Sequence, residues 1–337
     1  MPYPPKHRKI FAAVLLAVCL SLCCNAQTRR YTISPRNAER AISEERIMAQ
    51  IEMLSDTLCR GRQTGTGGAT MAAAWISERY RHIGLLKTGG SYFRGFRCQG
   101  GATGRNIIGF LPGSHSHEGR YAIVMAHYDN LGVLGGVMYP GADSNASGVV
   151  SLLTIAEMLK YMNGLGKTYG KTVIFVCLDA KEKNMAGASS LWNMIRNGSL
   201  SDPVTGERIT GDKIDQVINI DQVGSILSPV HKGRNDYLIM LTDEKSGRRG
   251  ILESVNRQYA LGMDISFSYY GSRDFTRIFY TRVSDQKVFV ENKITSVMFT
   301  SGITMNNNKP YDVPSTIDIG VLRKRILLMY YYLARTI

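Results

Sequence analysis

The chain has 337 residues, 44% of them hydrophobic, and a formal net charge of +14. That length allows one large α/β domain or two small ones, with a sizeable core either way. The basic residues are scattered rather than gathered into a patch, which reads as a solvated surface and gives no reason to expect a nucleic-acid partner.

Lys6, Arg8 and Lys9 precede an apolar run from Ile10 to Cys24, and Cys24-Asn25-Ala26 has the small-residue spacing of a signal-peptidase site. The run is short for a bilayer span, so residues 1–26 are expected to be a cleaved signal peptide. This implies export to the periplasm or the extracellular space without a transmembrane anchor. Leu22 before Cys23 does not suit a lipoprotein signal. Loss of Lys6, Arg8 and Lys9 takes the mature chain from +14 to +11. Cys59, Cys98 and Cys177 remain, and a Cys59–Cys98 bridge is open in an oxidising compartment.

Apolar spacing predicts a helix over 37–54, then a glycine-rich loop, "RGRQTGTGG" at 60–68, and a helix over 69–84. The loop lacks Gly-Lys-Ser/Thr and follows no strand, which argues against a phosphate cradle. Strands are predicted at 105–111, 121–126, 172–178, 217–220, 236–241 and 296–300. Helices are predicted near 145–162, 185–197, 246–260 and 319–335. Short apolar strands alternating with helices predict a mostly parallel sheet covered on both faces. No repeat or linker divides residues 27–337, which read as a single domain.

Ligands of such sheets sit beyond the carboxyl ends of the strands. Polar residues stand there: "AHYDNLG" after one strand, "GADSNASG" before a helix, "DAKE" after another strand and "NIDQVG" closing a fourth. His127, Asp129, Asp143, Glu182 and Asp221 are therefore candidates to converge. Imidazole plus carboxylates suits zinc with an open position, and Asp129 is placed to take the other ring N–H of His127. Singly, each has a plainer role, Asp143 as a helix cap and Asp221 as a turn residue.

"AHYDNLG", "GADSNASGVVSLLTIAEML", "DAKEKNMAGASSLW" and "NIDQVG" resemble, in order and spacing, the signatures of metallopeptidase family 28. Its members are aminopeptidase-type exopeptidases with two zinc ions and a three-layer α/β/α sandwich around a mixed sheet. The likeness extends from "RGRQTG" to "SVMFTSG". It implies that His127 and Asp221 bind the first zinc, that Asp143 bridges to the second, that Glu182 binds the second, and that Asp129 orients His127. It also implies peptide substrates, cut at their N-terminal residue.

Two positions depart from the family pattern. The general-base glutamate is Lys181 here, and the last histidine ligand aligns with Asn308. No histidine follows His231, so only an oxygen ligand such as Asp312, or a contribution from elsewhere, could restore the second metal site. One zinc ion is accordingly expected, at His127, Asp143 and Asp221. Beside a cation the Lys181 pKa should fall, making a weak base; alternatively its ammonium partly replaces the missing metal ion and holds Glu182. Three functions follow: a divergent single-metal exopeptidase, a non-catalytic relative that binds peptides or a partner, or a glutaminyl cyclase. The cyclase needs the lost histidine and is the weakest of the three.

Overall fold

A computed structural model of the chain describes residues 33–114 and 119–337; the expected signal peptide lies outside them. The strands are β1 (Phe93–Arg97), β2 (Thr103–Leu111), β3 (Tyr121–His127), β4 (Gly132–Leu134), β5 (Val137–Tyr139), β6 (Thr172–Leu178), β7 (Ile214–Ile220), β8 (Tyr237–Thr242), β9 (Asp264–Ser266) and β10 (Ser296–Thr300). The helices are α1 (Glu44–Ser55), α2 (Gly67–Ile83), α3 (Ser147–Gly164), α4 (Ala186–Arg196), α5 (Arg248–Gln258), α6 (Arg273–Arg282), α7 (Gln286–Glu291) and α8 (Ile319–Thr336).

Eight strands make one mixed sheet in the order β1-β2-β6-β3-β7-β10-β8-β9. Its centre is parallel, β6 with β3, β3 with β7 and β7 with β10, while β2 and β8 join antiparallel. Every residue of β3 and β6 is buried. That is why they read as unbroken apolar runs rather than alternating ones, as strands covered on both faces must. The helix α3 packs over β3 and against α8, α2 and α1, whereas α4 and α7 pack together beside β2 and β10. The expected α/β/α layering is what the chain adopts. No helix among the described residues is long and apolar enough to cross a membrane.

The six predicted strands and six predicted helices are present, with one break. The helix expected over 37–54 splits into a 3-10 turn, Pro35–Ala41, and α1. Ser43 is extended and its side chain accepts the Arg46 N–H, so it starts a new helix rather than continuing the first. Cys59, Cys98 and Cys177 are buried free thiols, so the Cys59–Cys98 bridge is not formed.

Candidate functional site

Because β6, β3 and β7 are parallel neighbours, their carboxyl ends lie side by side. This brings Lys181 and Glu182 after β6, His127 at the end of β3 and Asp221 after β7 to one edge of the sheet. Asn145 ties the edge together. Its amide donates to the Ile220 carbonyl (2.9 Å) and the His127 carbonyl (3.4 Å), while its oxygen accepts the Gln222 and Gly148 N–H groups.

His127 is fully buried. Its Nδ1 donates to the backbone carbonyl of Asp129 at 3.0 Å, and its Nε2 faces Asp221 Oδ1 at 3.3 Å. The Asp129 carboxylate, expected to orient this ring, stands 3.6 Å from Nδ1, beyond a hydrogen bond. It accepts instead the N–H groups of Lys181 and Glu182, each at 3.0 Å. The backbone of Asp129 therefore orients the histidine, and its side chain pins the turn after β6.

That turn is strained. Ala180, Asn184 and Met185 all have left-handed φ values, 62°, 57° and 57°, a conformation that costs residues other than glycine about 1 kcal/mol or more each. Within it, Lys181 Nζ donates to Glu182 Oε1 at 2.9 Å. Burial disfavours the ammonium, but Asp221 and then Glu182 outweigh it and hold the Lys181 pKa above its ordinary value. The lowered pKa expected beside a cation is a separate case; the groups acting on Lys181 here are carboxylates. A protonated lysine cannot accept a proton.

Burial and Lys181 also oppose the His127 imidazolium, yet the carboxylates of Asp221 and, less strongly, Asp129 raise its pKa to about 10. Asp221 is pushed up by burial and pulled down more strongly by His127, Lys181 and the Ser284 hydroxyl, which donates to its second oxygen. Its carboxylate is held well below the usual range. At neutral pH Lys181 and His127 therefore face the ionised carboxylates of Asp221 and Asp129.

Asp143 belongs to a different network. Its Oδ1 accepts the Gly224 N–H at 2.7 Å and the Ser147 hydroxyl at 3.0 Å. Burial and the nearby Asp312 raise its pKa to about 6. Asp312, the candidate oxygen ligand, has both oxygens on backbone N–H groups, those of Asp143 (2.7 Å) and Ser144 (2.9 Å). Ser144, beside it, has a buried hydroxyl with no partner. Asn308 is exposed in a left-handed turn at φ 56°.

One further residue was not anticipated. Asp285 is fully buried, and neither carboxylate oxygen has a hydrogen-bond partner. It follows Ser284, which holds Asp221, and it lies within electrostatic reach of His127, Asp221 and Lys181. Burial raises its pKa to about 7. The only signal in the sequence was "VSDQ" ahead of a short apolar segment, the Ser-Asp pattern of a helix start.

A zinc site of the expected kind needs three or four protein ligands. Among the described residues, no three His, Cys, Asp or Glu side chains form a group able to hold a metal ion. His127 and Asp221 meet, but Asp143 is engaged elsewhere and an ammonium stands beside Asp221. The expected trio of His127, Asp143 and Asp221 is therefore not assembled. The donor set does not fit the family's metal centre.

A mixed sheet between helix layers, with a polar edge at the carboxyl ends of its central strands, defines a zinc-exopeptidase-like α/β protein. The model of peptidase family M28 matches residues 106–333, and the chain belongs to that family. It is 28% identical over 201 residues to the alkaline phosphatase isozyme conversion protein of Escherichia coli strain K12, an overlap of 55% of this chain and 52% of that one. The match thus spans about half the length of that relative. The zinc aminopeptidase BSAP of Bacillus subtilis superposes with a TM-score of 0.63 at 14% identity, covering 87% of this chain and 95% of its own. The glutaminyl cyclase of Porphyromonas gingivalis superposes with a TM-score of 0.62 at 19% identity, covering 88% and 99%. At such identities these two likenesses establish the fold alone.

Proposed function

We propose that this chain is an exported, non-hydrolytic member of family M28 that binds peptides by their N-terminal ends. The observation that carries the reading is Lys181, a charged lysine in an ion pair with Glu182 where the family resemblance puts a general base. Loss of a positioned base costs about 10²–10⁴ in rate, and here a fixed positive charge also takes its place. Family membership supports peptides as the ligand class. Lys181 occupies Oε1 of Glu182, but the carboxylate is 23% exposed, and its other oxygen is the acceptor we assign to the N-terminal ammonium of a peptide. Export rests on the sequence of residues 1–26.

Calorimetry with short peptides tests this on protein recovered from its native host, where the intact mass should match cleavage after Ala26. Free N-termini should bind at least about tenfold more tightly than N-acetylated ones, the loss of one charge-assisted hydrogen bond. Equal affinity would remove the N-terminal specificity, and no binding of either would remove the peptide reading.

A second reading has one observation in its favour. His127 Nε2 and Asp221 Oδ1 are 3.3 Å apart, a spacing that two donors about 2.0–2.1 Å from one tetrahedral ion also adopt. A slow single-zinc exopeptidase would follow, and it requires turnover that depends on added zinc. The cyclase reading has no such support, since no histidine follows His231.

A further inference from the structure

We infer that the Lys181 ammonium is the resident cation of this centre, and that the centre is assembled and held without a metal ion. Carboxylates gathered at one sheet edge repel one another and need positive charge among them. In a metallopeptidase that charge comes from the metal ions. Here Lys181 Nζ lies 2.9 Å from Glu182 with its side chain 19% exposed. Asp221 and Asp129 are the other anions acting on it.

Part of the donor capacity at this edge is already committed. Asp129 holds two backbone N–H groups, Asp221 faces His127 and accepts the Ser284 hydroxyl, and Glu182 holds Lys181. A divalent ion entering beside Asp221 would share that carboxylate with the Lys181 ammonium, which acts on it electrostatically. Two like charges at about 4 Å, even screened as at a protein surface, oppose that by several kcal/mol. The inference stands apart from the peptide-binding reading: a chain that binds no peptide would leave it untouched, and peptide binding alone would not establish it.

The test uses the chain from residue 27 to 337, incubated with zinc chloride, dialysed and analysed for metal by mass spectrometry. Zinc should be substoichiometric, and the melting temperature should not move with zinc or with EDTA, since a ligand that binds the folded state must raise it. Lys181→Met should melt about 5 °C lower, because the carboxylates lose their counter-charge. Lys181→Glu replaces the ammonium with a donor beside His127, Glu182 and Asp221. That variant should take up zinc and melt higher in its presence. One tightly held ion per parent chain would overturn the inference, whichever variants fold. So would a Lys181→Met chain that melts with the parent, or a folded Lys181→Glu chain that ignores zinc.

Discussion

Replacing Arg62 with methionine is expected to cost roughly 3–5 kcal/mol of stability. The guanidinium is fully buried. Its Nε donates to the Tyr128 carbonyl at 2.7 Å, one terminal nitrogen to Pro140 (2.7 Å) and to Leu54, and the other to Gly141 at 2.8 Å. Four carbonyls from three segments thus converge on one side chain. They are the end of α1, the residue after His127 and the turn before Asp143. Methionine fills part of the volume and satisfies none of them, and each buried orphan costs about 1–3 kcal/mol before relaxation. Lysine should rescue little, because a point charge cannot span the fork. The neighbouring glycine serves the same joint: at Gly61, φ 64°, a Cβ would lie 2.5 Å from the Tyr139 carbonyl oxygen. Urea unfolding should show a lower midpoint with an unchanged slope. A loss below about 1 kcal/mol would mean that water replaces the guanidinium and that the arginine does not hold this edge in place.

Asp285→Asn should have the opposite sign and depend on pH. The folded-state pKa of Asp285 is about 7, against about 4 for an exposed aspartate. Between those values the folded chain keeps a proton that the unfolded chain has released. The parent therefore loses stability as pH rises from about 4 to about 7 and loses no more above it. Asparagine has no charge to bury, so the variant should match the parent near pH 4 and exceed it by on the order of 3 kcal/mol at pH 8. Unfolding free energies of both proteins across that range measure this directly. A variant weaker than the parent at pH 8 would mean that Lys181 or His127 pairs with the ionised carboxylate and repays its burial.

The layers and the polar edge were legible in the sequence because β3, β6 and β7 are apolar runs that end in His127 or run straight into Asp-Ala-Lys-Glu and Asp221. Ligand-facing residues of such sheets gather at the carboxyl ends of parallel strands, which is why Glu182, His127 and Asp221 could be grouped from sequence, while Lys181 was singled out by the family pattern alone. What the strand rule could not see was direction within irregular backbone. Asp143 sits in a turn where Ser144 and Asn145 leave helical geometry. Nothing in "GADSNASG" tells which of its side chains meets His127 and which meets Gly224. Asp129 failed similarly: alternation along a strand placed its carboxylate near the ring, but the chain has already left β3, and its carbonyl makes the contact. The helices α6 and α7 were missed because "RDFTRIFYTR" is rich in aromatic and branched residues with weak helical preference, and α7 has only six residues. Asp285 was hidden with them.

The central claim is that this M28 chain holds peptides without cutting them, and the most direct measurement is of cleavage itself. A mixture of peptides with free N-termini, incubated with the mature chain and excess zinc, is followed by mass spectrometry for loss of the first residue. The account predicts intact peptides and no dependence on zinc. Zinc-dependent release of N-terminal residues, abolished by His127→Ala, would contradict it.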